Sequence, residues 1–446
     1  MKHIFKKLCW IIFCVSFSFV ACKKQDPNPN EIGKVNHTKH FDSKVATDWF
    51  TLLTHLTRTT PYGPPQSARI FAYTGLTLYE SVVPGMPSYQ SLFKYFTGNG
   101  IAVDKKKNYY WPACANAAIA RIASRLLGNY PAIPDVNSIQ QLESSINNGF
   151  QSLVSQELLQ LSNEFGKSVA DKIYDWSTTD GTLNPNGTLA TCPPYVPLGG
   201  PGNWEPTPPG NLPAAGACQG LLRTFMPGTA KNTLPGPHPA YSTSPSSEFY
   251  QKANEIYQIS LTLTQDDINI SQHWRDILGT NYNTPSHVLR LTSQIMTREK
   301  LNLEDASVTY ARQCIAVFDA IASVFNAKFH YSLLRPVTYI RNTIGVTNWN
   351  SLYPTPQHPA YPATAPCAAA AAVEVLEKTF GKNYYFIDST QHALYGSWTY
   401  SSFDAMLQDV KRSRTHSGLN FQFAVDEGVK LGRQVGQMIN NASFKK

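Results

Sequence analysis

A chain of 446 residues in which 42% of side chains are hydrophobic and 15% charged can bury a large core, which excludes a disordered polypeptide. The formal charge is +8, or +5 once Lys2, Lys6 and Lys7 are set aside, and no basic stripe with interleaved aromatics is present, so nucleic acid is not an expected partner. None of the eight cysteines stands at a Cys/His spacing of the zinc type, and no metal ligand set is expected.

In chain order, a basic start (Met1 to Lys7) precedes an apolar run, Leu8 to Val20, too short for a comfortable membrane span. The run ends in Phe19-Val20-Ala21-Cys22, which looks like a bacterial lipobox with Cys22 as the lipidated residue; ordinary secretion with cleavage near Ala21 is the alternative. Residues 1–22 are therefore expected to be a lipoprotein signal peptide and the polar residues 23–47 a tether. The expected location is outside the bacterial cytoplasm, on a membrane facing periplasm or cell surface, and held there by lipid alone.

From Asp48 onward the pattern is helical. Gly63-Pro64-Pro65 opens a helix in which Ala68, Phe71, Gly75, Leu78 and Val82 recur at spacings of three and four. Ala117 to Leu127 and Gln156 to Trp176 repeat the pattern. Residues 180–247 are rich in Pro and Gly and read as a long irregular loop region, a lid or a covering. Helical periodicity returns at Ser247, is strong through Ile315, Phe318, Ala322, Phe325 and Phe329, and continues in the Ala-rich run from Cys367. No stretch alternates as a strand does. The expected fold class is all-α over residues 48–441, one domain or a pair divided near 180–247. Cys192 and Cys218 flank the loop centre and are the expected disulfide, while Cys314 and Cys367 read as small core residues.

Three segments carry the chemistry. Lys328 stands seven residues before Arg335-Pro336; Pro354 to Ala365 leads into the Ala-rich helix; and Ser413-Arg414 precedes Asn420 by a short turn. In this order they resemble the tripartite signature of the vanadium haloperoxidase and type-2 phosphatidic acid phosphatase superfamily, in its exported bacterial branch. The Pro64 to Arg69 helix and the Trp204 to Pro209 loop extend the resemblance, which implies a helical bundle of that type over 48–441.

By position, Lys328, Arg335 and Arg414 match the cations that cradle phosphate or vanadate in that superfamily, and converging cations are what an oxyanion requires. The two histidine positions are Ala365 and Asn420, neither of which can transfer a proton or bond vanadium. Ala363-Thr364 replaces a Ser-Gly pair, leaving Thr364 as a candidate hydroxyl donor, and Ala424 replaces an orienting carboxylate. His416 and His358 lie in the corresponding loops as candidate substitutes.

The expectation from sequence is a catalytically impaired member of the superfamily, a pseudoenzyme that retains an oxyanion cradle for phosphate or vanadate. Vanadate is the one cofactor the resemblance implies. An active haloperoxidase or phosphatase with a relocated histidine is one alternative, and a surface protein-interaction module is another.

Overall fold

The computed structural model describes residues 37–130 and 135–446. The signal-like segment, Cys22 and the first part of the proposed tether lie outside the described residues.

Helix α1, Lys44–Arg58, starts four residues before the expected boundary at Asp48 and buries Trp49, Phe50 and Leu53 completely. Helix α2, Pro64–Val82, begins where the sequence indicates, because proline at the first helical positions supplies a preset φ and lacks only an N–H that would go unused. From Ser67 to Val82 every residue of α2 is buried, so the periodic stripe understated its burial. Helices α3, Trp111–Gly128, and α4, Gln156–Ser177, pack on each other, and α3 also packs on α2. Gly166 of α4 meets the carbonyl of Cys114, a closeness that a Cβ would prevent.

The second half supplies α5, Gln265–His273, and α6, Thr284–Glu299. A reciprocal Thr264–Asp267 capping box starts α5, and the Asn283 side chain caps α6. Helix α7, Leu303–Tyr331, is the central element, packed against α2, α8 (Thr364–Phe380) and α10 (Gln422–Asn441). It is long and apolar enough to cross a membrane, yet 94% of its most apolar stretch is buried against protein, as in a core helix. Helix α9, Phe403–His416, runs beside α5 and α8.

The alanines of α8 lie against a row of glycines on α10. A Cβ at Gly428, Gly432 or Gly436 would run into the carbonyls of Ala363, Cys367 and Ala371 respectively. Small residues on both helices thus allow close backbone approach, and this fixes the second and third sequence motifs beside each other.

The expected all-α bundle is the architecture found. One feature departs from it: strands β1, Phe386–Asp388, and β2, Trp398–Tyr400, form an antiparallel pair with Phe386 opposite Tyr400. Each strand has three residues, too few for alternation to stand out.

Residues 180–247 are irregular apart from two short helical turns. They lie on the outside of α7: Gly216 and Gly220 fit against Phe325 and Asn326, and the N–H groups of Phe225 and Met226 donate to Asp319 at 2.8 and 2.9 Å. Cys192 is disulfide-bonded to Cys218, while Cys114, Cys314 and Cys367 are buried thiols.

Candidate functional site: a buried cation cluster and a His/His/Asp cluster

Lys328 lies in the last turn of α7 and is fully buried. Ser332 ends the helix in the left-handed region, at φ 49°, and turns the chain so that Arg335 comes back toward Lys328. The Lys328 Nζ donates to the carbonyls of Pro359, at 2.7 Å, and Ala360, at 3.4 Å. Arg335 donates from Nε to the His358 carbonyl at 2.8 Å, from Nη1 to Leu419 at 3.0 Å and from Nη2 to Pro356 at 3.2 Å. Arg414, on α9, donates from Nε to Ser413 Oγ and from Nη2 to the Trp274 carbonyl.

Electrostatics binds these three side chains into one cluster. Burial, then the charge of Arg335, pushes the Lys328 ammonium well below its ordinary value. Burial, then Arg414, lowers Arg335 to about 9. Burial lowers Arg414 as well, against the opposing pull of Asp276, 3.9 Å from Nη1. Among the described residues no carboxylate pairs with Lys328 or Arg335, so their charges are met by neutral groups alone, backbone carbonyls and, for Arg335, the His358 ring. Buried positive charge in this state is costly unless an anion or a lost proton relieves it.

The other sequence-identified positions surround this cluster unevenly. Asn420 is buried and donates from Nδ2 to the Ala360 carbonyl at 2.9 Å, beside the Lys328 contact. Thr364 begins α8, at the end of the loop whose carbonyls hold Lys328 and Arg335; its Oγ1 is buried with no hydrogen-bond partner. Ala365 and Ala424 are buried apolar wall.

His358 reaches the cations: Arg335 Nη2 is 3.1 Å from His358 Nδ1. A guanidinium can only donate, so Nδ1 accepts and the imidazole proton belongs on Nε2. Burial, then Lys328 and Arg335, holds this histidine well below its ordinary pKa, hence neutral. His416 instead points to Asp267 Oδ1, at 3.4 Å, which Arg412 also holds. His330 is exposed, its ring edge on Tyr331.

The structure also contains a cluster that the sequence did not reveal. His273 ends α5, His287 lies in the first turn of α6 and Asp388 ends β1; all three are fully or almost fully buried. Asp388 Oδ2 accepts from His287 Nε2 at 2.7 Å and from His273 Nε2 at 3.2 Å. Its Oδ1 accepts from the Thr390 N–H and hydroxyl. Burial alone would raise the Asp388 carboxyl, but the charge of His287 and the hydrogen bonds of both histidines hold it well below the usual range. Burial lowers the pKa of His273. Trp274 stacks on His287 at 4.3 Å and Trp398 on His273 at 4.8 Å. The three ligand atoms lie within 4.8 Å of one another, a group able to hold a metal ion or a similar centre. Arg414 links the clusters, since the carbonyl it binds belongs to Trp274.

This triad corrects the sequence reading. A degenerate site emptied of histidine chemistry, and with it the impaired protein or pseudoenzyme, was inferred from Ala365 and Asn420. The intact His273–His287–Asp388 group overturns that inference, because two imidazoles and a carboxylate are in place and oriented. The triad is also a candidate ligand set where the sequence suggested none. Sequence carried little signal: the contacts to Asp388 span 115 and 101 residues, and no local motif joins them.

Comparison with known proteins is consistent with the fold. A family model described as the VCPO second helical-bundle domain matches residues 308–445. No curated protein matches the chain. Among solved structures, one entitled as the first bacterial vanadium-dependent iodoperoxidase superimposes with a TM-score of 0.82 at 24% identity, covering 91% of this chain and 98% of that one. An apo-type bacterial vanadium-dependent chloroperoxidase gives 0.63 at 13% identity, covering 85% of this chain and 93% of that one. A holo-type bacterial vanadium-dependent chloroperoxidase gives 0.61 at 14%, covering 93% of this chain and 95% of that one. The architecture is therefore that of the vanadium haloperoxidase helical bundle.

Proposed function

We propose that this protein is an enzyme acting on or through an oxyanion, with haloperoxidase- or phosphatase-like chemistry, and that Lys328, Arg335 and Arg414 hold the anion. The observation that carries this reading is the charge of Lys328 and Arg335, buried with neutral partners alone, backbone carbonyls and the His358 ring, and no carboxylate among the described residues. An oxyanion carries the missing negative charge and several acceptor oxygens. The orphaned Thr364 hydroxyl supplies a further donor at the start of α8. His358 is the imidazole within reach of the same cations, neutral and carrying its proton on Nε2, the form that can donate a hydrogen bond to a reacting group there. The buried His273–His287–Asp388 centre favours a working site over an impaired one.

Vanadate fits this charge pattern, and the solved structures with this fold are entitled vanadium-dependent peroxidases. Lys328, Arg335 and Arg414 would hold it; when bound, it would supply an electrophilic centre for peroxide activation. Phosphate esters fit the same cations.

The test is turnover of the full-length protein on a chromogenic phosphomonoester, and separately on halide with peroxide after loading with vanadate. One of the two should proceed and fall about 100-fold in Arg414→Ala, the size expected for removing one preorganised charge donor. His358→Ala should lower the rate with little change in anion affinity. Because His358 is neutral already, its titration should produce no acid-side loss of rate near its ordinary value of 6.5. Absence of both reactions, or full activity in Arg414→Ala, would overturn the proposal.

A further inference from the structure

We infer that the loop closed by the Cys192–Cys218 disulfide positions the cation cluster, and that cleaving the S–S bond loosens the backbone that holds Lys328, Arg335 and His358 together. The consequence for anion affinity rests on the function proposed above; the mechanical coupling does not.

The disulfide closes a loop with a sequence separation of 26, and two straps inside that loop grip the two segments that build the cluster. The first strap, residues 195–204, grips the turn between Lys328 and Arg335. The Tyr195 and Ser332 hydroxyls share a hydrogen bond of 2.9 Å. The Trp204 N–H donates to the Ser332 carbonyl at 2.6 Å, and the Leu334 N–H donates to the Gly202 carbonyl at 3.0 Å. Ser332 is the left-handed residue that brings Arg335 back toward Lys328, so this strap holds the turn at its pivot.

The second strap, residues 215–218, grips the loop whose carbonyls receive the cations. The Ala215 N–H donates to the Gln357 carbonyl at 2.7 Å, between the Pro356 and His358 carbonyls that Arg335 binds. Gly216, at φ 80°, lies against the Phe325 ring, and that ring stands 5.2 Å from the ring of His358. A Cβ at Gly216 would come within 2.5 Å of Phe325. The two gripped segments also bond to each other, from the Ala360 N–H to the Leu333 carbonyl at 2.9 Å.

Each strap is seated by a few bonds, and segments held so sparsely open locally. A cross-link that closes the loop restricts the opened conformations and so keeps both straps seated. The bond is also within reach of a reductant. Cys192 is exposed, and Cys192 and Cys218 line a cavity of about 520 Å³ with Pro61, Tyr62, Pro65 and Leu189. A small dithiol breaks such a bond by exchange: each cysteine sulfur gains a hydrogen, and the dithiol leaves as its own cyclic disulfide.

The experiment follows amide hydrogen exchange of the full-length protein by mass spectrometry before and after reduction with dithiothreitol, with phosphate affinity measured on both samples. On reduction, exchange in peptides covering 330–336 and 355–362 should speed up about 10-fold while α2 is unchanged, and phosphate should bind about 10-fold more weakly. Cys192→Ser combined with Cys218→Ser should reproduce the reduced state and no longer respond to dithiothreitol. Gly216→Ala, which leaves the disulfide in place, should speed exchange at 355–362 by unseating the second strap. Unchanged exchange in both peptides after complete reduction would overturn the inference. Acceleration that spreads to α2 would overturn it too, since the disulfide would then support the whole fold and not the cluster. Local acceleration with undiminished phosphate binding would show that the straps do not position the cations. Exchange needs no ligand, so oxidised protein that exchanges as expected yet binds no phosphate would contradict the proposed function and leave the coupling standing.

Discussion

The two buried polar clusters meet at Arg414 but solve opposite electrostatic problems. In the His/His/Asp cluster a carboxylate sits between two donors, so the one negative charge and both Nε2 groups are paired. In the cation cluster Lys328, Arg335 and Arg414 repel one another, and Lys328 and Arg335 have only neutral acceptors, carbonyls and the His358 ring, in return. The first arrangement has its carboxylate paired, and its removal should harm the fold. The second is incomplete, and the shape of that deficit, positive and many-handed, describes the ligand that would complete it.

Substitutions can break this contrast. The largest effect should come from Asp388→Ala, which leaves two buried histidine N–H groups without an acceptor; a loss of about 3–5 kcal/mol in chemical denaturation is expected. Lys328→Met removes a buried cation that no carboxylate offsets. In anion-free buffer its cost should be far smaller, or its effect stabilising by about 1–4 kcal/mol. Equal destabilisation by the two changes would erase the distinction between a cluster with its charge paired and one without.

A smaller effect concerns a third buried group, Asp319, which is outside both clusters. Burial raises its carboxyl to about 7 from an ordinary 3.8, against the two backbone N–H donors. The folded state therefore holds this proton more tightly than the unfolded chain. Its stabilising share is full below about 4 and is lost as pH rises through about 7. Stability followed by urea unfolding between those limits should fall with pH, and Asp319→Asn should flatten the dependence. A wild-type profile rising steadily over that window would contradict the assignment.

Much of the scaffold was legible because it is written in local pattern. Gly63-Pro64-Pro65 marks the start of α2, the Ala-rich run marks α8, and the resemblance to the tripartite signature points to Lys328, Arg335 and Arg414 as the cation cluster. What the sequence concealed had two physical sources. The His273–His287–Asp388 group is assembled across long separations, partly by a hairpin too short to show alternation. The carbonyls that hold Lys328 and Arg335 belong to the backbone, and any residue supplies a carbonyl, so side-chain identity gave no sign of them. Attention to Ala365 and Asn420 therefore led to a conclusion about the whole interior that only the missing contacts could have corrected.

The most direct test of the central claim is calorimetric titration of the full-length protein with phosphate and with orthovanadate, repeated on Arg335→Met and on Asp388→Asn. The account predicts saturable binding of at least one anion to the wild-type protein, lost in Arg335→Met and kept in Asp388→Asn. No binding of either anion at millimolar concentration, or binding that survives Arg335→Met and disappears in Asp388→Asn, would contradict it.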